Sequence, residues 1–159
     1  MTDIQSGEKV QYKSDELRKT MEILFYAYRD FTGVANVILE QYDLGRAHHR
    51  IIYFVRQYPD MTVSELLTIL KITKQSLNRV LSELIDDGFV VQAMDKKDKR
   101  KRLLGLTAKG IDLEAIITKA QTNFIQKAYD ASCNDTDISS FKSVLISMID
   151  EREQYRFKG

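Results

Sequence analysis

A chain of 159 residues with 43% hydrophobic and 30% charged side chains and a formal net charge of +1 is enough for one domain with a real core and too short for two ordinary ones. Its single cysteine, Cys133, excludes an internal disulfide framework, and His48 and His49 lack companion ligands at zinc spacing, so no metal and no cofactor is expected. No apolar run is long enough for a signal peptide or a membrane span, and a cytoplasmic protein is the expectation.

Met1 to Lys13 is polar and aperiodic and reads as a flexible arm (residues 1–13) ahead of a single domain at 14–159. From Ser14, an N-cap residue, the apolar positions Leu17, Met21, Leu24, Phe25, Tyr28, Phe31, Val34, Ala35, Ile38, Leu39 and Tyr42 keep helical spacing. A helix over 14–42 would be about 42 Å long at 1.5 Å per residue, longer than a small domain is wide, so part of its stripe should meet a partner subunit. Asp43, Leu44 and Gly45 break it. Arg46 to Tyr58 predicts a second helix, with Ile51, Phe54, Val55 and Tyr58 inward, closed by Pro59 and Asp60.

Thr62 followed by Glu65 is the reciprocal capping pair of a short helix ending near Leu70. After a turn at Lys71 and Ile72, Thr73 caps the next helix, in which Leu77, Val80, Leu81, Leu84 and Ile85 form one apolar stripe. Its other side carries Lys74, Gln75, Ser76, Asn78, Arg79 and Ser82, with Glu83 set to one side, and Gly88 is its stop signal. An ordinary solvated helix mixes Glu with Lys; amides and a guanidinium are instead the groups that read base edges. Two such helices joined by a short turn are a helix-turn-helix, whose second helix lies in the major groove.

Phe89 to Met94 and Leu103 to Leu106 flank DKKDKRKR (Asp95 to Arg102), which holds six basic and two acidic residues, so a β-hairpin with a cationic tip is predicted. From Lys71 to Arg102 nine basic residues face five acidic ones, a local excess of +4 that the rest of the chain offsets. A charge run alone is usually a solvated loop. Directly after a recognition helix it becomes a wing able to follow the phosphate backbone and put Arg100 into a narrow minor groove.

Thr107 caps a further long helix, with Ile111, Leu113, Ile116, Ile117, Ala120, Phe124 and Ala128 apolar; Ser132 to Asp137 is turn-prone; Thr136 to Tyr155 predicts the last helix, with Ile138, Phe141, Val144, Leu145, Met148 and Ile149 inward. The fold class is mainly α with a small β-hairpin wing: a winged helix-turn-helix at 46–107 between long N- and C-terminal helices at 14–42 and 108–156. No glycine-rich phosphate loop, nucleophile elbow or catalytic carboxylate set marks an enzyme. The competing class, a winged-helix module that binds protein, has little use for a +4 wing beside a carboxylate-poor helix face.

Asp98-Lys99-Arg100 followed by Leu106-Thr107-Ala108-Lys109-Gly110 resembles the wing motifs of the MarR family of bacterial transcriptional regulators, and the helix order agrees over roughly residues 14 to 156. The phrases GRAHHRIIYFV and ITKQSLNRVLSELID are further similar to the family's PetP-like alphaproteobacterial subgroup. The resemblance implies a homodimer built by both terminal regions, a pseudo-palindromic operator in double-stranded DNA, and repression. It also implies a small aromatic or anionic effector in the cleft between the dimerisation helices and the winged domain. On this view Gln75, Asn78 and Arg79 read bases, Lys74, Ser76 and Ser82 touch phosphate or groove edge, Lys97, Lys99, Arg100 and Arg102 serve the wing, and Asp98 holds Arg100. Tyr28, Arg29, His48, His49 and Arg50 read as interface or core polar residues, and Cys133 as inert.

Overall fold

The first helix, α1 (Ser14–Leu39), begins at the residue expected to cap it: Lys13, one position earlier, is the N-cap, and its backbone N–H donates to the Glu16 carboxylate at 3.1 Å. The helix then tightens into a 3₁₀ turn, Glu40–Tyr42, which ends because Asp43 turns left-handed (φ 55°), a conformation aspartate tolerates better than most residues. In this computed structural model residues 10–132 and 134–157 are described; most of the expected arm, and Cys133, lie outside them.

α2 (Arg46–Gln57) buries Ile51, Ile52 and Val55. Tyr58, expected inward, instead lies beyond the helix end and is 38% exposed, its ring stacked on Phe54. α3 (Val63–Leu70) carries the predicted capping box: Thr62 N–H donates to Glu65 Oε2 (2.6 Å) and Glu65 N–H to Thr62 Oγ1 (3.2 Å). Lys71, left-handed at φ 50°, makes the turn, and Thr73 Oγ1 accepts from Ser76 N–H (3.2 Å) to start α4 (Lys74–Asp86). Leu77, Val80, Leu81 and Leu84 are buried as the periodicity requires, and Gly88 takes φ 77° after the helix.

β1 (Val90–Met94) and β2 (Arg102–Leu106) pair antiparallel, with Val90 opposite Leu106 and Met94 opposite Arg102. Arg102, expected in the tip, is therefore a strand residue. Strand β2 is pinned to the turn before α3 by a bridge between Thr62 and Leu103 and by Leu104 N–H donating to the Met61 carbonyl at 2.8 Å. That attachment fixes where the wing sits against the helix pair.

α5 (Ala108–Ser132) is locked to the hairpin at its start. Thr107 Oγ1 donates to the Gly88 carbonyl (2.6 Å) and accepts from Gly110 N–H (3.0 Å), while Thr107 N–H donates to the Phe89 carbonyl (3.1 Å). α6 (Asp135–Ser147), capped by Asn134, stops eight residues short of the expected Tyr155. The Asp150 carboxylate accepts both the backbone N–H of Arg152 (3.1 Å) and its guanidinium (2.7 Å), a local turn that competes with helix. A 3₁₀ turn, Gln154–Phe157, follows, and Glu153 reaches Lys71 Nζ at 3.0 Å.

The core lies between the end of α1, the winged unit and the first half of α5: Leu39, Ile51, Ile52, Leu66, Leu77, Leu84, Phe89, Leu104, Leu113 and Ile117 are all under 2% exposed. The outer helices differ. Met21, Phe25, Val144 and Met148 are 53%, 67%, 62% and 63% exposed, and α6 buries no residue. Apolar burial contributes about 25 cal/mol per Å², so these helices gain little in a single chain. No described helix is long and apolar enough to cross a membrane.

Candidate nucleic-acid interface

With its apolar stripe committed to the core, α4 must turn Lys74, Gln75, Ser76, Asn78, Arg79 and Ser82 outward, and all six are exposed. Ser76 is partly occupied by the cap, because its hydroxyl also accepts from Thr73 Oγ1 at 2.9 Å. Arg79 has an ion-pair contact with Glu83 one turn on (3.5 Å) and remains 73% exposed at its side chain.

The wing tip is ordered by its own carboxylates. Asp95 Oδ1 accepts from Lys97 N–H (2.8 Å), and Asp98 Oδ1 accepts from both Arg100 N–H (3.1 Å) and Arg100 Nε (3.2 Å). Those bonds hold the Asp98 carboxyl below the usual carboxylate range, the backbone one contributing most. Lys97, Lys99, Arg100 and Arg102 are exposed, Arg100 at 91% of its side chain. Asp98 thus directs Arg100 without covering it.

Helix and wing share one side of the molecule. A groove of about 690 Å³ is lined by Lys74 at the start of α4, by Arg100, Lys101 and Arg102 of the wing, and by Thr62, Ser64 and Glu65 in the first turn of α3. Four cations converge there against a single carboxylate, Glu65, which already caps the amino end of α3, so the groove is net cationic and suits an anion. In the sequence Lys101 is one cation among the six of the wing run. Only the pairing of the hairpin with the turn before α3 shows that it lines the groove.

His48, read from sequence as a polar interface or core residue, joins α2 to α4: its Nε2 lies 2.7 Å from Glu83 Oε2. Its neighbour His49 faces a second concavity of about 400 Å³ between α1, α2 and α5, lined also by Tyr28, Phe31, Arg50, Tyr53 and Gln121. His49 Nε2 is buried with no hydrogen-bond partner among the described residues. Burial holds the ring's pKa below the ordinary 6.5, outweighing the opposite pull of Glu114. The unfolded chain therefore binds a proton first as pH falls through that range, and stability present above it is lost below it. Thermal melts from pH 7 to pH 5 should show a falling midpoint, with a shallower fall in His49→Gln; equal slopes would remove His49 as the cause.

Comparison with known proteins agrees with this geometry. The MarR family model matches residues 42–101. The chain is 45% identical over 150 residues, 94% of its length and 90% of the relative's, to the HTH-type transcriptional regulator PetP of Rhodobacter capsulatus. It is 27% identical over 112 residues, 70% of its length and 74% of the relative's, to an uncharacterized HTH-type transcriptional regulator of Staphylococcus aureus. Among solved structures, Streptococcus pneumoniae FabT in complex with DNA superposes with TM-score 0.74 at 19% identity, covering 89% of this chain and 96% of that one. A mutant MarR from Escherichia coli complexed with operator DNA gives 0.67 at 17%, covering 88% and 100%; at such identities these two establish the fold. The helix pair, the pinned cationic wing and the PetP likeness along nearly the whole chain lead to one conclusion: the protein belongs to the MarR family of winged helix-turn-helix, DNA-binding transcriptional regulators.

Proposed function

We propose that the protein acts in the cytoplasm as a homodimeric repressor, laying two copies of α4 in successive major grooves about one helical turn apart on a pseudo-palindromic operator. The observation that carries this is the groove joining Lys74 to Arg100, Lys101 and Arg102 beside the exposed amides of α4. Gln75, Asn78 and Arg79 read bases; Lys74, Ser76 and Ser82 contact phosphate or groove edge; Lys97, Lys99, Arg100 and Arg102 follow the backbone, with Arg100 entering the minor groove. The exposed apolar residues of α1 and α6 support the dimer, because two copies could bury what one leaves wet. The activity is binding rather than catalysis, as the regulator names of its relatives suggest.

A small aromatic or anionic effector fits the concavity under Tyr28, His49, Arg50 and Tyr53, whose aromatic walls and cationic edge suit a compact acid. Such a ligand shifts the two α4 copies only by binding one spacing better than another. Selection of bound sites from a random duplex pool tests the proposal: expected is a palindromic consensus with half-sites about one turn apart. Affinity for it should fall with salt at a log-log slope near −0.9 per phosphate contacted. Recovery of unrelated sequences, or affinity indifferent to salt, would overturn it.

A further inference from the structure

Glu83 interrupts an otherwise carboxylate-poor helix face, and it is tethered from both sides. On α2, His48 Nδ1 accepts the Gly45 backbone N–H (3.0 Å). A ring nitrogen that accepts carries no proton, so the hydrogen of the neutral ring sits on Nε2 and is donated to Glu83 Oε2 at 2.7 Å. The other carboxylate oxygen, Oε1, lies 3.5 Å from the Arg79 guanidinium. The side chains run from His48, 15% exposed, through Glu83 at 43% to Arg79 at 73%. A lone carboxylate and arginine one turn apart, both free to move, order each other weakly. Here the carboxylate is anchored from beneath by a charge-assisted bond, so the guanidinium has a fixed partner.

We propose that His48 is a positioning residue for DNA recognition: by gripping Glu83 it sets the direction of Arg79, so sequence preference depends on a histidine that touches no base. The inference rests on Arg79 being a base reader. It also accounts for a carboxylate on this face, since Glu83 is occupied by His48 and Arg79 and so is not presented alone to the phosphates that would repel it.

The test compares binding to the selected operator with binding to random duplex, for wild type and for two conservative variants. His48→Asn keeps an acceptor for Gly45 N–H but cannot reach Glu83; His48→Gln keeps a donor at Glu83's distance. Expected is a loss of preference of about fivefold in His48→Asn, the low end of what one base contact carries, with His48→Gln close to wild type and Glu83→Gln resembling His48→Asn. Adding His48→Asn to Arg79→Ala should then change the preference no further, and unshifted thermal melts would show that the fold is kept. Undiminished preference in His48→Asn, or the same loss whether or not Arg79 is present, would overturn the proposal. A wild type that selects no sequence overturns the base-reading role of Arg79 and this proposal with it, whereas a selective wild type with an uncoupled His48 overturns the proposal alone.

Discussion

Gly110→Ala should destabilise the fold by about 2 kcal/mol or more, although alanine is normally the better helix residue by about 1 kcal/mol. The reason is the space available. A Cβ at position 110 would meet the Phe89 carbonyl oxygen at 2.2 Å and its carbon at 3.1 Å. Backbone on both sides cannot yield as a flexible side chain could. Moving α5 away would break the bonds that Thr107 makes to the Gly88 and Phe89 carbonyls, at a net cost of about 1 kcal/mol each. Strain and lost bonds together exceed the propensity gain. Equilibrium urea unfolding checks it, with a lower midpoint and unchanged slope expected; an unchanged or higher midpoint would mean that α5 does not seat on the hairpin through this glycine.

Arg100→Ala should weaken operator binding about tenfold or more while leaving thermal stability within error. Its guanidinium is 91% exposed, so the folded state loses no packing. What is lost is a cation held out by Asp98 at the mouth of the groove that also contains Lys74, Lys101 and Arg102. If the side chain enters the minor groove, the loss should be largest on sites whose flanks are A·T-rich and narrow, and the salt dependence should become shallower by about one phosphate contact. Asp98→Asn should produce a smaller loss of the same kind, since asparagine can still accept from Arg100 N–H but has no charge to attract the guanidinium. Gel-shift titrations at two salt concentrations read all three effects. Equal affinity of wild type and Arg100→Ala at both would take Arg100 out of the interface.

Much of this protein follows from residues read in order. The i, i+3, i+4 spacing from Leu77 to Leu84 sufficed to define the buried stripe of α4 and therefore its exposed amides, because a helix has only one way to bury such a stripe. Thr62 with Glu65, Thr73 and Gly88 marked helix ends through local hydrogen bonds and a left-handed turn, interactions that span three or four residues. The end of α6 was harder to read. Its apolar spacing runs past Ser147, but the helix closes at Met148 and the chain passes into the turn that Asp150 makes with Arg152.

Other features belong to distances the sequence does not encode. That Lys101 shares a groove with Lys74 depends on the bond from Leu104 to Met61, which joins residues more than forty positions apart. His48 and Glu83 are separated by 35 positions, and nothing in either neighbourhood signals that one grips the other. Gly110 looks like a weak helix residue until the Phe89 carbonyl is seen against it. By itself, then, the sequence determined which elements form and which face of each is apolar, since both follow from local periodicity and capping. Tertiary structure alone decided which polar groups far apart in the chain meet, as His48 and Glu83 do, because packing the stripes together sets the distances between side chains that no periodicity relates.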